Sequence, residues 1–346
     1  MHKKLIALAV AGLASAPVFA QSNVTIYGVA DAYFGYGKYA DNKLSAINSG
    51  GLSGSRLGFR GKEDLGNGLN AVFTLEYALG IDGNSGVGTG GARQQFVGLE
   101  GGFGFVGLGR QYAPGYFVFK YDAVAGSGAL SPHAQLAGAA GAMINASSAS
   151  RINNSINYKS PKMNGFSVNA IYGFNEANEL DHRRKNDVFG VGLEYANGPL
   201  ALGLTWQQKD GGSDPDQEEW MLGGTYEFGA VKLLGSYQQV EDVIGSAGET
   251  DKIFQIGAVV PVGAGNIHLA WGKLDADAGS DYDIKSWVLA YTHALSKRTT
   301  VYTGWLRVDN GAGTARSSLA NNEDEFDATV FGKNSDAFVL GLRHTF

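Results

Sequence analysis

Apolar and polar residues alternate along most of this chain, and nowhere more plainly than at its end. In Phe338-Val339-Leu340-Gly341-Leu342-Arg343-His344-Thr345-Phe346, one face holds Phe338, Leu340, Leu342, His344 and Phe346. The other holds Val339, Gly341, Arg343 and Thr345. A period of two marks a strand rather than a helix. The same rhythm opens the chain proper, where Val24, Ile26, Gly28, Ala30, Ala32 and Phe34 alternate with Thr25, Tyr27, Val29, Asp31 and Tyr33. Phe73, Leu75, Tyr77 and Leu79 repeat it against Thr74, Glu76 and Ala78, as do Ile152, Ile156 and Tyr158 against Arg151, Asn153, Ser155 and Asn157.

The pattern predicts sixteen strands, at roughly 23–38, 50–62, 68–81, 92–101, 103–112, 150–159, 164–176, 185–197, 199–210, 218–228, 230–242, 250–261, 265–276, 280–293, 298–310 and 335–346. Short turns such as Asn197-Gly198 and Gly229-Ala230 alternate with long loops at 82–91, 113–149, 177–184, 211–217, 243–249 and 311–334. An even strand count with short turns at one end and long loops at the other predicts an all-β fold. The expected fold is a 16-stranded antiparallel transmembrane β-barrel, with the strand at 24–34 beside the closing strand. A barrel of that size encloses water, so its inward faces can carry Arg, Asn, Gln and Glu.

Composition sharpens this picture. Glycine is abundant at 52 residues and cysteine is absent, so an oxidising compartment offers the fold no covalent support. His2-Lys3-Lys4, the apolar stretch Leu5 to Ala14, and Val18-Phe19-Ala20 predict a secretory signal peptide over 1–20, leaving 21–346 as a single barrel domain. The net charge of −6 says little about the lumen. Many acids, including Asp210, Asp214, Asp216, Glu218, Glu219, Glu323, Asp324 and Glu325, fall in or beside outer loops and are expected on a solvated rim.

Specific stretches carry a resemblance. Ser55-Arg56-Leu57-Gly58-Phe59-Arg60-Gly61-Lys62-Glu63-Asp64-Leu65-Gly66-Asn67-Gly68, Arg93-Gln94-Gln95-Phe96-Val97-Gly98-Leu99-Glu100 and Leu108-Gly109-Arg110-Gln111-Tyr112 are three of them. Asn154-Ser155-Ile156-Asn157-Tyr158-Lys159-Ser160-Pro161 and the terminal Phe346 complete the set. In this order they resemble the Gram-negative general diffusion porins, most closely their beta-proteobacterial branch. The resemblance implies an outer-membrane homotrimer passing small hydrophilic solutes and ions, with the third outer loop, here 113–149, folded inward as a constriction. It also implies that Phe346 addresses the chain to the outer-membrane insertion machinery, and that outer-membrane lipid and lipopolysaccharide surround the barrel.

Arg56, Arg93 and Arg151 fall on the family's wall-arginine positions. Parity supports them, since Leu57, Phe59, Phe96 and Ile152 are expected to face lipid and so turn the neighbouring arginines inward. Arg60 and Arg110 are further candidates for the constriction. Glu76 and Asp31 share the inward parity and are expected to pair with the arginines. The family's inward loop brings carboxylates to face them. Here 113–149 carries only Lys120, Asp122 and His133, and Val29 stands at a fourth basic position. The expectation is an anion-preferring pore. Pro132 is expected to start a short helix running toward Met143.

Other classes fit less well. A substrate-selective channel of the same fold would use the aromatic cluster Tyr116, Phe117, Phe119 and Tyr121. A surface adhesin or scaffold would need longer outer loops. Gly102, Gly104 and Gly107 match a dinucleotide fingerprint, but no helix follows to cap a pyrophosphate. Asp275, Asp277, Asp281 and Asp283 fail as a calcium loop because Gly279 and Ser286 stand where ligands belong. Nothing in the sequence calls for catalysis, a cofactor, a metal or nucleic acid.

Overall fold

A computed structural model describes residues 23–83, 91–124, 129–174, 185–243, 246–318 and 330–346. The expected signal peptide lies outside them. The strands are β1 (Asn23–Tyr39), β2 (Asn42–Ser49), β3 (Arg56–Gly66), β4 (Leu69–Ala78), β5 (Ala92–Gly101), β6 (Gly104–Tyr112), β7 (Arg151–Lys159), β8 (Phe166–Gly173) and β9 (Val188–Asn197). They continue as β10 (Leu200–Lys209), β11 (Gln217–Phe228), β12 (Val231–Glu241), β13 (Thr250–Val262), β14 (Gly265–Asp275), β15 (Ile284–Ala294), β16 (Thr299–Asn310) and β17 (Ser335–Thr345). Each pairs antiparallel with its neighbours, and β1 pairs with β17 from Val29↔Thr345 to Tyr39↔Ser335, closing the ring. The Gly28 and Phe346 backbones exchange hydrogen bonds of 3.0 and 3.2 Å at the seam.

Seventeen strands make sixteen staves, because β2 and β3 share one. Ala32 to Tyr39 of β1 pair with β2, and Asn23 to Val29 pair with β3. The stretch 39–49, expected to connect strands, is therefore mostly strand, and the strand expected from residue 50 begins only at Arg56. The break between them has a specific cause. The fully buried Asp31 carboxylate accepts the backbone N–H groups of Gly51, Leu52 and Ser53 at 2.9–3.1 Å, so those groups leave the ladder. The Tyr302 hydroxyl donates to the same carboxylate at 2.5 Å. Asp31 thus clamps the wall and does not pair with the constriction arginines.

The short turns follow from local chemistry. Asn67 and Gly68 sit at φ +53° and +77° between β3 and β4, the positive pair that a two-residue hairpin of the right twist demands.

The two faces of the wall differ sharply. Ile26, Ile47, Val97, Leu108, Leu204, Leu222, Ile256, Leu289, Leu340 and Leu342 all stand exposed on the outer face. A continuous belt of that kind suits hydrocarbon and not water. All five tryptophans, Trp206, Trp220, Trp271, Trp287 and Trp305, lie on this face by register. Trp220, Tyr237 and Phe254 continue as a ring-to-ring band at 5.0 and 4.9 Å. Such aromatic girdles mark the interface between headgroups and acyl chains.

The packed core lies inside the ring. A 3-10 segment at Pro114–Tyr121 rests on β8 to β12, and the helix α1 (Pro132–Ala139) rests on β13 to β15. Ser131 caps α1 by accepting the Ala134 N–H, and Pro132 occupies its first turn; the helix ends at Ala139, short of Met143. Leu136 packs with the inward-turned Ile253, Leu274, Ile284 and Val308, while Leu130 packs with Tyr302, Leu306 and Val339. Glycines in the wall make room: a Cβ at Gly203 or Gly223 would lie 2.0 or 2.3 Å from the Tyr121 side chain. Each fully buried leucine contributes about 1.5–3 kcal/mol through removal from water.

Polar anchors fix the same segment. Glu219, fully buried on β11, accepts the backbone N–H groups of Met143 at 2.6 Å and Ile144 at 2.8 Å. It is therefore not part of a solvated rim. Gln207 accepts the Gly115 N–H at 2.7 Å, and His268 donates through Nδ1 to the Ala123 carbonyl at 2.7 Å.

Candidate functional site: a cluster of arginines on the inner wall

β3, β4 and β5 are consecutive antiparallel staves, so inward residues at matching heights become neighbours. Arg56, Glu76 and Arg93 meet in this way. The Arg93 Nε donates to Glu76 Oε1 at 2.8 Å, and the Arg56 Nη1 stands 3.9 Å from the same oxygen. Tyr27 donates to Glu76 Oε2 at 3.0 Å and Tyr112 to Oε1 at 2.9 Å. Arg93 also donates to the Tyr116 hydroxyl at 2.9 Å. Tyr112 and Tyr116 stack at 3.7 Å, so the start of 113–149 is fastened to the arginine cluster through a ring pair. Arg151, at the head of β7, is close enough to Arg93 and Arg110 to be repelled by their charge.

Charge within the cluster is unbalanced. Arg56 and Arg93 share the Glu76 carboxylate, and Arg151 adds a third guanidinium with no carboxylate partner among the described residues. The Nε atoms of Arg56 and Arg151 are buried without a protein acceptor. Arg93 itself is only 2% exposed, so it steadies Glu76 and Tyr116, while Arg56 and Arg151 carry the uncompensated charge.

Strand parity within unbroken strands accounts for Arg56 and Glu76, whereas Arg93 and Arg151 lie at or beyond register shifts. Phe96 does not face lipid. The β4–β5 register shifts between Glu76↔Gln94 and Tyr77↔Ala92, which makes Arg93 the extra residue of a bulge. Phe96 then falls opposite Thr74 on the inner face and packs edge-on against Phe105 at 5.5 Å. Ile152 also turns inward, against Ala113, Ile171 and Val188. A second irregularity between Gly109↔Ser155 and Gln111↔Ile152, with Asn154 at φ +45°, flips it. A bulge inserts one residue and so reverses the parity beyond it.

The remaining candidates lie elsewhere. Arg60 is on the inner face closer to the short-turn end of β3, with its guanidinium 5.1 Å from the Tyr27 ring. Arg110 shares an outer-face row with Ile26, Phe59, Leu75 and Gln95. Its guanidinium is bonded to Ala92 O, Arg151 O and Asn153 Oδ1 at 2.7, 3.0 and 2.5 Å, so it braces β5 to β7 beside Arg151. Lys120 pairs with Glu194 at 2.6 Å. Asp122 turns into its own loop, where it accepts the Ser131 hydroxyl and, at 3.1 Å, the Val124 N–H. Burial pushes its carboxyl up to about 6. Tyr27 and Tyr112 were not among the candidates, although inward parity was a usable signal for Tyr27.

The chain matches the family model described as Gram-negative porin over residues 7–313. It is 35% identical to outer membrane porin protein 32 of Delftia acidovorans and 30% identical to an outer membrane porin protein of Bordetella pertussis, each alignment covering all of both chains. Among solved structures it is similar to an anion-selective porin from Comamonas acidovorans, with a TM-score of 0.80 and 31% identity. That match covers 94% of this chain and all of the other. A closed antiparallel ring, an apolar belt with an aromatic girdle, a charged inner wall and these matches agree, and the chain belongs to the Gram-negative porins of the outer membrane.

Proposed function

We propose that this barrel is an outer-membrane diffusion channel for small hydrophilic solutes that prefers anions, and that Arg56 and Arg151 set the preference. The observation that supports this reading most directly is the unbalanced cluster: Arg56 and Arg93 share Glu76, Arg151 stands near Arg93 without a carboxylate partner among the described residues, and 113–149 delivers no carboxylate to oppose them. Lys120 is matched by Glu194, and Asp122 is withdrawn into its own loop, so neither offsets the arginines. Low-dielectric walls focus such a field on passing ions. The related anion-selective porin agrees in sign.

The test is the reversal potential across a planar bilayer in a potassium chloride gradient. The intact protein should show the sign of an anion-preferring channel. Neutral replacements at Arg56, Arg93 and Arg151 should move it toward cations. A cation-preferring intact channel would overturn the proposal.

Assembly as a homotrimer is part of the same reading. Gln95 and Arg110 sit on the outer face beside Leu75, and an arginine there costs roughly 2–4 kcal/mol if it meets mid-membrane hydrocarbon. A second copy covering this patch removes that cost. Electrophoresis of unheated protein should give the mass of three chains; migration as one chain would refute it. Phe346, at the seam beside Gly28, is proposed as the residue read by the insertion machinery, and lipopolysaccharide as the lipid against the outer girdle.

A further inference from the structure

Beneath the arginine cluster the inner wall holds a second group of cations, and these are set among aromatic rings. Lys159 ends β7 and by register stands between Phe105 and Asn169 on the inner face. Its Nζ lies 5.7 Å from the Phe105 ring centroid and 5.4 Å from that of Phe117. Among the described residues no carboxylate lies within salt-bridge distance of it, whereas Lys120 has Glu194 and Lys62 has Glu100. Arg60 is likewise without a carboxylate and rests over Tyr27.

Two cavities meet at Lys159. One, of about 320 Å³, runs between Phe117, Lys120, Asn169 and Glu194. The other, of about 570 Å³, has Arg60, Phe96 and Phe105 in its lining. Both fall in the size range of small-molecule sites. Simple ion passage requires charge and water but no rings. An ammonium held against two phenyl faces has lost part of its hydration, and those rings offer an inorganic anion no hydrogen-bond donors. A ligand carrying both a carboxylate and a flat apolar body would use the free cations and the rings together, while Glu100 and Glu194 in the same linings are held by Lys62 and Lys120. The carboxylate would take charge-assisted hydrogen bonds from Lys159 and Arg60, while its ring would pack on Phe96 and Phe105, which already form an edge-to-face pair at 5.5 Å.

We propose that this vestibule is a binding site for aromatic carboxylates, centred on Lys159, on the short-turn side of the arginine cluster. The inference rests on the reading of the barrel as an open channel, and its test does not depend on the sign of the ion preference.

The experiment uses the full-length mature protein in a planar bilayer, with sodium benzoate as probe and sodium acetate as the ring-free control. Benzoate should reduce the single-channel chloride current saturably, and acetate should not. Lys159→Gln should weaken the block about tenfold, the loss expected when one charge-assisted hydrogen bond goes. Phe105→Leu, which keeps the charge, should weaken the block while leaving the chloride conductance in place. Both variants are first checked for folding by their heat-dependent migration. Absence of saturable benzoate block, equal block by acetate, or unchanged block in a folded Lys159→Gln channel would each overturn the proposal. The reversal potential recorded in the same membrane reports the anion preference separately, so a cation-preferring channel that benzoate still blocks would refute only the earlier reading.

Discussion

Replacing Glu76 by Gln tests the electrostatic argument at its centre. The carboxylate is 2.8 Å from Arg93 and 3.9 Å from Arg56, and its oxygens take two tyrosine hydroxyls. A glutamine has nearly the same shape and can still accept one of these bonds, so the change removes charge far more than volume. For an ion passing about 6 Å away through water-rich space, one unit charge is worth about 1 kcal/mol, between the bulk-water and protein-surface limits. At about 0.1 M salt the screening length is about 10 Å, which roughly halves that value. Losing the negative charge helps anions and hinders cations equally. The permeability ratio of chloride to potassium should therefore rise about fivefold to tenfold. The assay is the reversal potential in a gradient centred near that salt concentration, with Arg151→Gln as the opposite-sign control. The effect should shrink at about 1 M salt, where screening reaches about 3 Å. A shift of Glu76→Gln toward cations, or no shift while Arg151→Gln does move, would refute the claim that Glu76 is the counter-charge of the cluster.

Leu136→Ala should cost about 2–5 kcal/mol, because the side chain is fully buried against Ile253, Leu274 and Val308. The loop around it should become open to proteolysis and channel noise should rise; unchanged digestion would argue against its role in seating the loop. Glu219→Gln leaves one of the Met143 and Ile144 N–H groups without its acceptor, at about 1–3 kcal/mol. Protease nicking near Met143 that stays at the wild-type rate would count against this latch. Asp122 has its carboxyl raised by burial to about 6, so its protonated form is the better accommodated one. Its contribution to stability is complete below the ordinary carboxylate range near pH 4 and is lost as pH rises through about 6. Thermal unfolding of wild type and Asp122→Asn across this window should show a falling difference, and parallel profiles would refute it.

Much of the fold was legible because a barrel wall is a local code. Each strand announces itself by alternation, and the short turns by residues such as Asn67 and Gly68 that tolerate positive φ. The stave shared by β2 and β3 was not legible, since it depends on Asp31 drawing off the N–H groups of a segment twenty residues later. The site divides in the same way. Arg56 and Glu76 follow from parity within uninterrupted strands. Arg93 and Ile152 lie at register shifts, whereas Arg110 already shares the outward parity of Val106 and Leu108 along β6.

By itself, the sequence determined a ring of alternating strands, an apolar exterior, a charged interior and a shortage of acids in the long inner segment. All of these are sums over neighbouring residues. Tertiary structure alone decided which charges meet. Bulges reset parity, Glu219 and Asp122 are buried far from where their sequence neighbours suggest, and Lys159 stands between two rings contributed by β6 and by the loop. The reason is physical: alternation fixes the face a side chain occupies, while its partners depend on register between strands and on contacts across the lumen, which bring together residues distant along the chain.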